Sequence, residues 1–140
     1  MASYSSLVQS KFYSAAFNSA IFDGPIRIYF AQFHEALALK IYFIFQQQLG
    51  EDLKTARELS RQFGGNIMVM IYPTIENYSL CFDDKNIISR EFWDEDVVIG
   101  LRGPIEDEYL SDLVTLTRDS IQNWQQKMTV ENNISIEAQI

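Results

Sequence analysis

His34 is the only histidine of the chain and Cys81 the only cysteine, and those two counts close off much chemistry. A metal site built on several histidines, or a histidine pair sharing a proton, cannot be assembled. A Ser/His/Asp arrangement would have to use His34, and no Gly-x-Ser-x-Gly elbow presents a nucleophilic serine to it. His34 reads as a solvated turn residue beside Glu35, without the partners a general base needs. Cys81 lies between Leu80 and Phe82, where a thiol packs as a small hydrophobe and no neighbouring base lowers its pKa. A single cysteine cannot form an intramolecular disulfide, which suits a reducing compartment.

Gly64-Gly65-Asn66 falls after a predicted helix and before a predicted strand. A phosphate-binding glycine loop needs the reverse order, with its amides at a helix start, so these glycines read as a helix stop. Glu91, Asp94, Glu95 and Asp96 surround Phe92-Trp93 and make the densest polar cluster. Three chemistries are open to them. They could hold magnesium or calcium through oxygen ligands, although no EF-hand spacing occurs. They could pair as catalytic carboxylates if burial raised the pKa of one. Or aromatics flanked by acids could contact a basic protein surface. The plainest reading is an acidic loop after a strand, with Trp93 anchoring it inward.

The elements that must position these residues begin with Pro25 to Gln48, which pairs with itself on paper. Closed at His34-Glu35, the chain sets Phe33 opposite Ala36, Ala31 opposite Ala38, Tyr29 opposite Lys40 and Arg27 opposite Tyr42. Ile26, Ile28, Phe30 and Gln32 then share a face with Leu37, Leu39, Ile41 and Phe43, and a one-residue slip would scatter that set. Arg27, Tyr29, Lys40 and Tyr42 cluster on the second face, as cross-strand pairs or as an interface. Residues 36–45 have a helical alternative, because Glu-Ala-Leu-Ala-Leu-Lys has high helix propensity; the facing pattern favours strand.

Ser5 or Ser6 can cap a first helix ending near Ser19, and Asp23-Gly24-Pro25 is a turn signal. A second helix spans Glu51 to Phe63, and Asn66 to Tyr72 is a β run. Tyr78 to Phe82 and Ile87 to Trp93 read as a second hairpin, and Asp96 to Leu101 as one more strand. Leu110, Leu113, Thr117, Ile121, Trp124 and Met128 recur at helical spacing within a last helix, Ile105 to Met128. The expected fold is therefore α+β, an antiparallel sheet in the order α-ββ-α-βββ-α with helices packed on it. It forms one domain over 1–128, followed by a polar tail, 129–140. That order resembles the roadblock/LC7 arrangement of small dimeric regulatory scaffolds. The acidic charge and tryptophan-bearing last helix also resemble class I secretion chaperones. Both resemblances are topological.

Composition bounds the partners. A net charge of −8 works against non-specific nucleic-acid binding and against attachment to anionic lipid. The charge is uneven: residues 1–50 carry Lys11, Arg27 and Lys40 against Asp23 and Glu35, and the other acids all follow. Ten phenylalanines and seven tyrosines exceed what so small a core needs, which points some of them to an interface. Met1 to Asn18 does not read as a secretory signal, and Ile41 to Phe45 is too short an apolar run to span a bilayer. The location expected is cytoplasmic, where the sequons at Asn77 and Asn133 have no role.

These features predict a non-catalytic protein-interaction domain, an adaptor, regulator or chaperone, acting as a self-associating homodimer without cofactor or metal. Its expected interface comprises Arg27, Tyr29, Lys40, Tyr42, Phe92, Trp93, Asp94, Glu95 and Asp96. An acidic immunity protein or inhibitor covering a basic toxin or nuclease site is an alternative. A third is a small-molecule sensor or enzyme with a pocket between sheet and helices.

Overall fold

Ile67–Tyr72 is apolar at every position and Asp96–Arg102 nearly so, and a strand can be apolar on both faces only where both are covered. The computed structural model describes residues 17–139 apart from 84, 94–95 and 103–104, with nothing described for the side chains of 93 and 132–139. In it, these runs are inner strands of a five-stranded sheet. The strands are β1 (Ser19–Asp23), β2 (Ile26–Phe30), β3 (Ile67–Tyr72), β4 (Ile88–Trp93) and β5 (Asp96–Arg102), in the order β1-β2-β3-β5-β4. β2, β3 and β5 run parallel, while β1 and β4 are antiparallel edges. The helices are α1 (Glu35–Gln48), α2 (Gly50–Phe63), α3 (Ile75–Ser79) and α4 (Leu110–Gln139).

The sheet has two unequal cores. On one face Ile28, Val69 and Ile99 meet Ile41 and Phe45 of α1, Leu53 of α2, and Leu113 and Ile121 of α4. On the other, Met68, Met70, Tyr72 and Val98 lie with Tyr78 of α3 and are flanked by Phe17, Tyr29, Cys81 and Phe82. Tyr72 is fully buried, and that burial raises its phenol pKa far above the ordinary value, helped by a hydrogen bond with Cys81.

The fold is thus mixed α/β, and the expected antiparallel sheet in the order α-ββ-α-βββ-α is corrected. The likeness to roadblock/LC7 domains rested on that order and loses its basis with it. The largest correction concerns Pro25 to Gln48. β2 does form a hairpin, but with Ser19–Asp23 before it: Asp23 faces Ile26 across Gly24-Pro25. Gly24 takes φ +59°, the positive value a tight two-residue hairpin loop requires. With β1 on one edge of β2 and β3 on the other, no edge remains for residues 36–45. They follow their helix propensity into α1.

Tyr78–Phe82 is likewise no strand. Thr74 caps α3, its hydroxyl accepting from the Asn77 amide at 3.1 Å, and the chain turns after Ser79. β4 pairs instead with β5. α2 matches its predicted span to within one residue at the start, with Glu51 and Asp52 in its first turn and Gly64 at φ +77° after it. α4 starts at Leu110 rather than Ile105 and runs past Met128. The helix expected from Ser5 or Ser6 falls mostly outside the described residues.

Candidate interaction surface

Residues 36–45 hold one charged side chain, Lys40, in an otherwise apolar or aromatic stretch. A helix apolar all round belongs in a core, yet α1 lies on the surface and can bury only one side. Ala38, Ile41 and Phe45 face the sheet. Leu39 and Phe43, one turn apart, are left 39% and 58% exposed, and Phe33 in the turn before α1 is 74% exposed. Ala36 is exposed on the same side. The result is an apolar stripe along the outside of α1, with only Glu35 and Lys40 as charges along it.

α1 is anchored at both sides of this stripe. Tyr42 donates its hydroxyl to Asp23 Oδ2 at 3.0 Å, and the same oxygen accepts from Gln46 at 3.1 Å and Arg57 at 3.3 Å. That bond to a carboxylate raises the Tyr42 pKa. Lys40 reaches Asp107 at 2.6 Å, an exposed pair of small energetic weight.

The four residues expected to cluster on a hairpin face are therefore not brought together. Arg27 and Tyr29 stand on the α3 side of the sheet, Lys40 and Tyr42 on α1 over the opposite face. The Arg27 guanidinium lies 5.3 Å from the centre of the exposed Phe22 ring. Its Nε is buried with no hydrogen-bond partner among the described residues.

The acidic cluster divides as well. Asp94, Glu95 and the Trp93 side chain lie outside the described residues. Asp96 is buried and works as a brace: Oδ1 accepts from the Asn66 amide at 2.6 Å and from Asn66 Nδ2 at 3.3 Å. It fixes the Gly64-Gly65-Asn66 entry to β3 against the start of β5. Asp96→Ala leaves that amide without its acceptor and should cost roughly 1.5–3 kcal/mol in urea denaturation. A cost below about 0.5 kcal/mol would show that the brace carries no weight.

Phe92 is exposed beside Arg90, whose guanidinium lies 5.0 Å from the ring centre and also contacts Asp119 at 2.8 Å. Phe92 lines a cleft of about 250 Å³ with Asp96, Val97, Trp124, Lys127 and Met128. Trp124 is 6% exposed, and its indole N–H is buried with no partner among the described residues. Sequence reasoning assigned Trp124 to packing and missed this orphan donor, which no sequence pattern announces. Among the described residues no group of three or more His, Cys, Asp or Glu side chains could hold a metal ion. No helix among them is long and apolar enough to cross a membrane.

His34 is half-buried and packs at a tilt against Phe33 with ring centres 4.4 Å apart. Its Nδ1 has no partner among the described residues, and desolvation lowers its pKa below the usual 6.5. As pH falls, the unfolded chain then takes up this proton before the folded one. Stability tied to neutral His34 is full above about pH 6.5 and lost as pH falls through the folded pKa. With one histidine in the chain, an NMR titration reads it directly, and a midpoint at or above the ordinary value would contradict the burial. His34→Gln should flatten stability across that window.

The fold and this surface define a mixed α/β sheet protein in which, among the described residues, the outer face of α1 is apolar and exposed. No protein-family model, no curated protein and no solved structure matches the chain.

Proposed function

We propose that this chain is a non-catalytic protein-interaction domain, a small self-associating scaffold of the adaptor, regulator or chaperone kind. The observation that carries the reading is the outer face of α1, where Phe33, Leu39 and Phe43 are exposed in one stripe. Single exposed apolar residues are ordinary on protein surfaces, but Leu39 and Phe43 one helical turn apart, with Phe33 in the turn before them, have the kind of spacing helix-mediated recognition uses. Of the expected interface residues, Arg27 and Phe92 join this reading through two aromatic–arginine contacts at the two sides of the sheet, Arg27 over Phe22 and Arg90 over Phe92, and Tyr29 through its edge contact with Phe22. The acidic balance of residues 51–140 adds a preference for partners with a basic surface. Light scattering across a dilution series tests self-association. A strictly monomeric chain that also retains no partner in a pull-down would sink the proposal.

The cleft beside Trp124 favours a second reading, a small-molecule site. Its walls are largely apolar, and Trp124 carries a buried donor without a partner. A flat melting temperature across a metabolite panel would remove it.

A further inference from the structure

We infer that the occupant of the α1 face is a second copy of this chain, packed antiparallel across a two-fold axis near residue 38. The inference deepens the reading above and rests on it. Two features of the face select a second copy over another partner. The first is charge. A chain of net charge −8 repels its own copies, and self-association needs a surface largely free of that excess. Along α1 the only charges are Glu35 and Lys40, and with Asp107 paired to Lys40 the face holds one net negative charge, a small part of that excess.

The second is self-complementarity, which a two-fold contact demands because each residue i that meets j is met by j in return. Set α1 antiparallel to its copy and three pairings have midpoints within half a residue of one another, between residues 37 and 38. Phe33 comes against the partner's Phe43, Glu35 against the partner's Lys40, and Ala36 against the partner's Leu39. Rings meet rings at both ends, opposite charges meet between them, and the small Ala36 at the crossing lets the helix axes approach. Lys40 has three donors and can keep Asp107 while meeting the carboxylate. A parallel arrangement would set Glu35 against its own copy and Lys40 against its own, like against like. The 14-residue helix offers less than a standard interface, so the dimer is a weak one that dilution resolves.

The test uses the full chain at roughly 1 µM to 1 mM, the range in which weak dimers dissociate. Light scattering should show a monomer–dimer transition that Phe43→Glu and Leu39→Glu each shift to at least tenfold higher concentration. Circular dichroism should remain unchanged, because both positions are exposed. In a Cys81→Ser background, Leu39→Cys treated with oxidised glutathione should give a covalent dimer, whereas Gln47→Cys, far from the axis, should not. Equal crosslinking at both positions would overturn the antiparallel register. A dimer indifferent to both glutamates would overturn the α1 interface while leaving self-association in place. A wild-type monomer that holds a different purified partner through Phe43 would overturn the second-copy inference and leave the protein-interaction reading standing. A wild-type monomer with no partner would overturn both.

Discussion

Phe45→Ala should destabilise the protein by about 3–5 kcal/mol, while Phe43→Ala should change folding stability by less than about 0.5 kcal/mol. Phe45 is fully buried in the core between α1 and the sheet, so truncation removes a ring from contact and leaves a cavity. Phe43 is more than half exposed and has little burial to lose. The contrast is more telling than either value. Along a strand, residues 43 and 45 share a face and should respond alike. Along a helix they stand well apart, and only one faces the core. Urea denaturation of both variants below the concentration at which self-association sets in separates the two geometries. Equal losses would contradict α1. A loss below about 1 kcal/mol at Phe45 would contradict the packing described for it.

Gly100→Ala should destabilise the sheet by about 1–3 kcal/mol, and Gly100→Val by more. Gly100 sits in β5 on the α3 side, where an added Cβ would stand 2.8 Å from Cδ2 of Phe82 and closer still to Cε2. Two effects compete. Alanine in a strand recovers roughly 0.5–1 kcal/mol of backbone entropy relative to glycine. Against it stands overpacking, and the Phe82 ring has little freedom to give way. Its centre lies 6.0 Å from the Tyr72 ring and 5.4 Å from Tyr78. Overpacking therefore wins. The cause is tested by repeating Gly100→Ala in a Phe82→Ala background, where the penalty should vanish or reverse sign. A penalty that persists there would mean that the space above Gly100 is not what the substitution disturbs.

Much of the fold was legible because the chain marks element type more clearly than element partners. α2 is written in its acidic start and its glycine stop, and of the inner face read as Leu53, Ala56, Ser60 and Phe63 the first two are buried, with Leu59 as the third buried position. β3, β4 and β5 lie almost where their apolar runs place them. Pairing was harder to read. The pattern of Pro25–Gln48 supports a hairpin as well as it supports a strand followed by a helix. Only the occupancy of both edges of β2 decides between them, and that is a tertiary fact. One signal for parallel pairing was available: Ile67–Tyr72 is apolar at every position, which marks a strand covered on both faces. Tyr78–Phe82 misled because an aromatic-rich run packs as well from a short helix and turn as from a strand.

The candidate surface was legible only in part. The surplus of phenylalanine pointed to an interface, but the strand reading assigned Phe43 and Leu39 to the core. Both lie outside it, since a helix divides those residues differently. Arg27 and Lys40 were grouped by a register the molecule does not use.

The arrangement of the sheet also bears on how the chain reaches its native state. β1–β2 and β4–β5 are each closed by a short connection, so they are local structures that can form early. β3 must then insert between them, with the whole of α1 and α2 separating it from β2. Its two ladders are parallel and long-range, and closing them bears the entropy of those loops before any contact repays it. β3 is thus the keystone of the molecule. Until it is seated, β2 and β5 each present an open apolar edge, and those edges are the vulnerable surfaces during synthesis and refolding at high concentration.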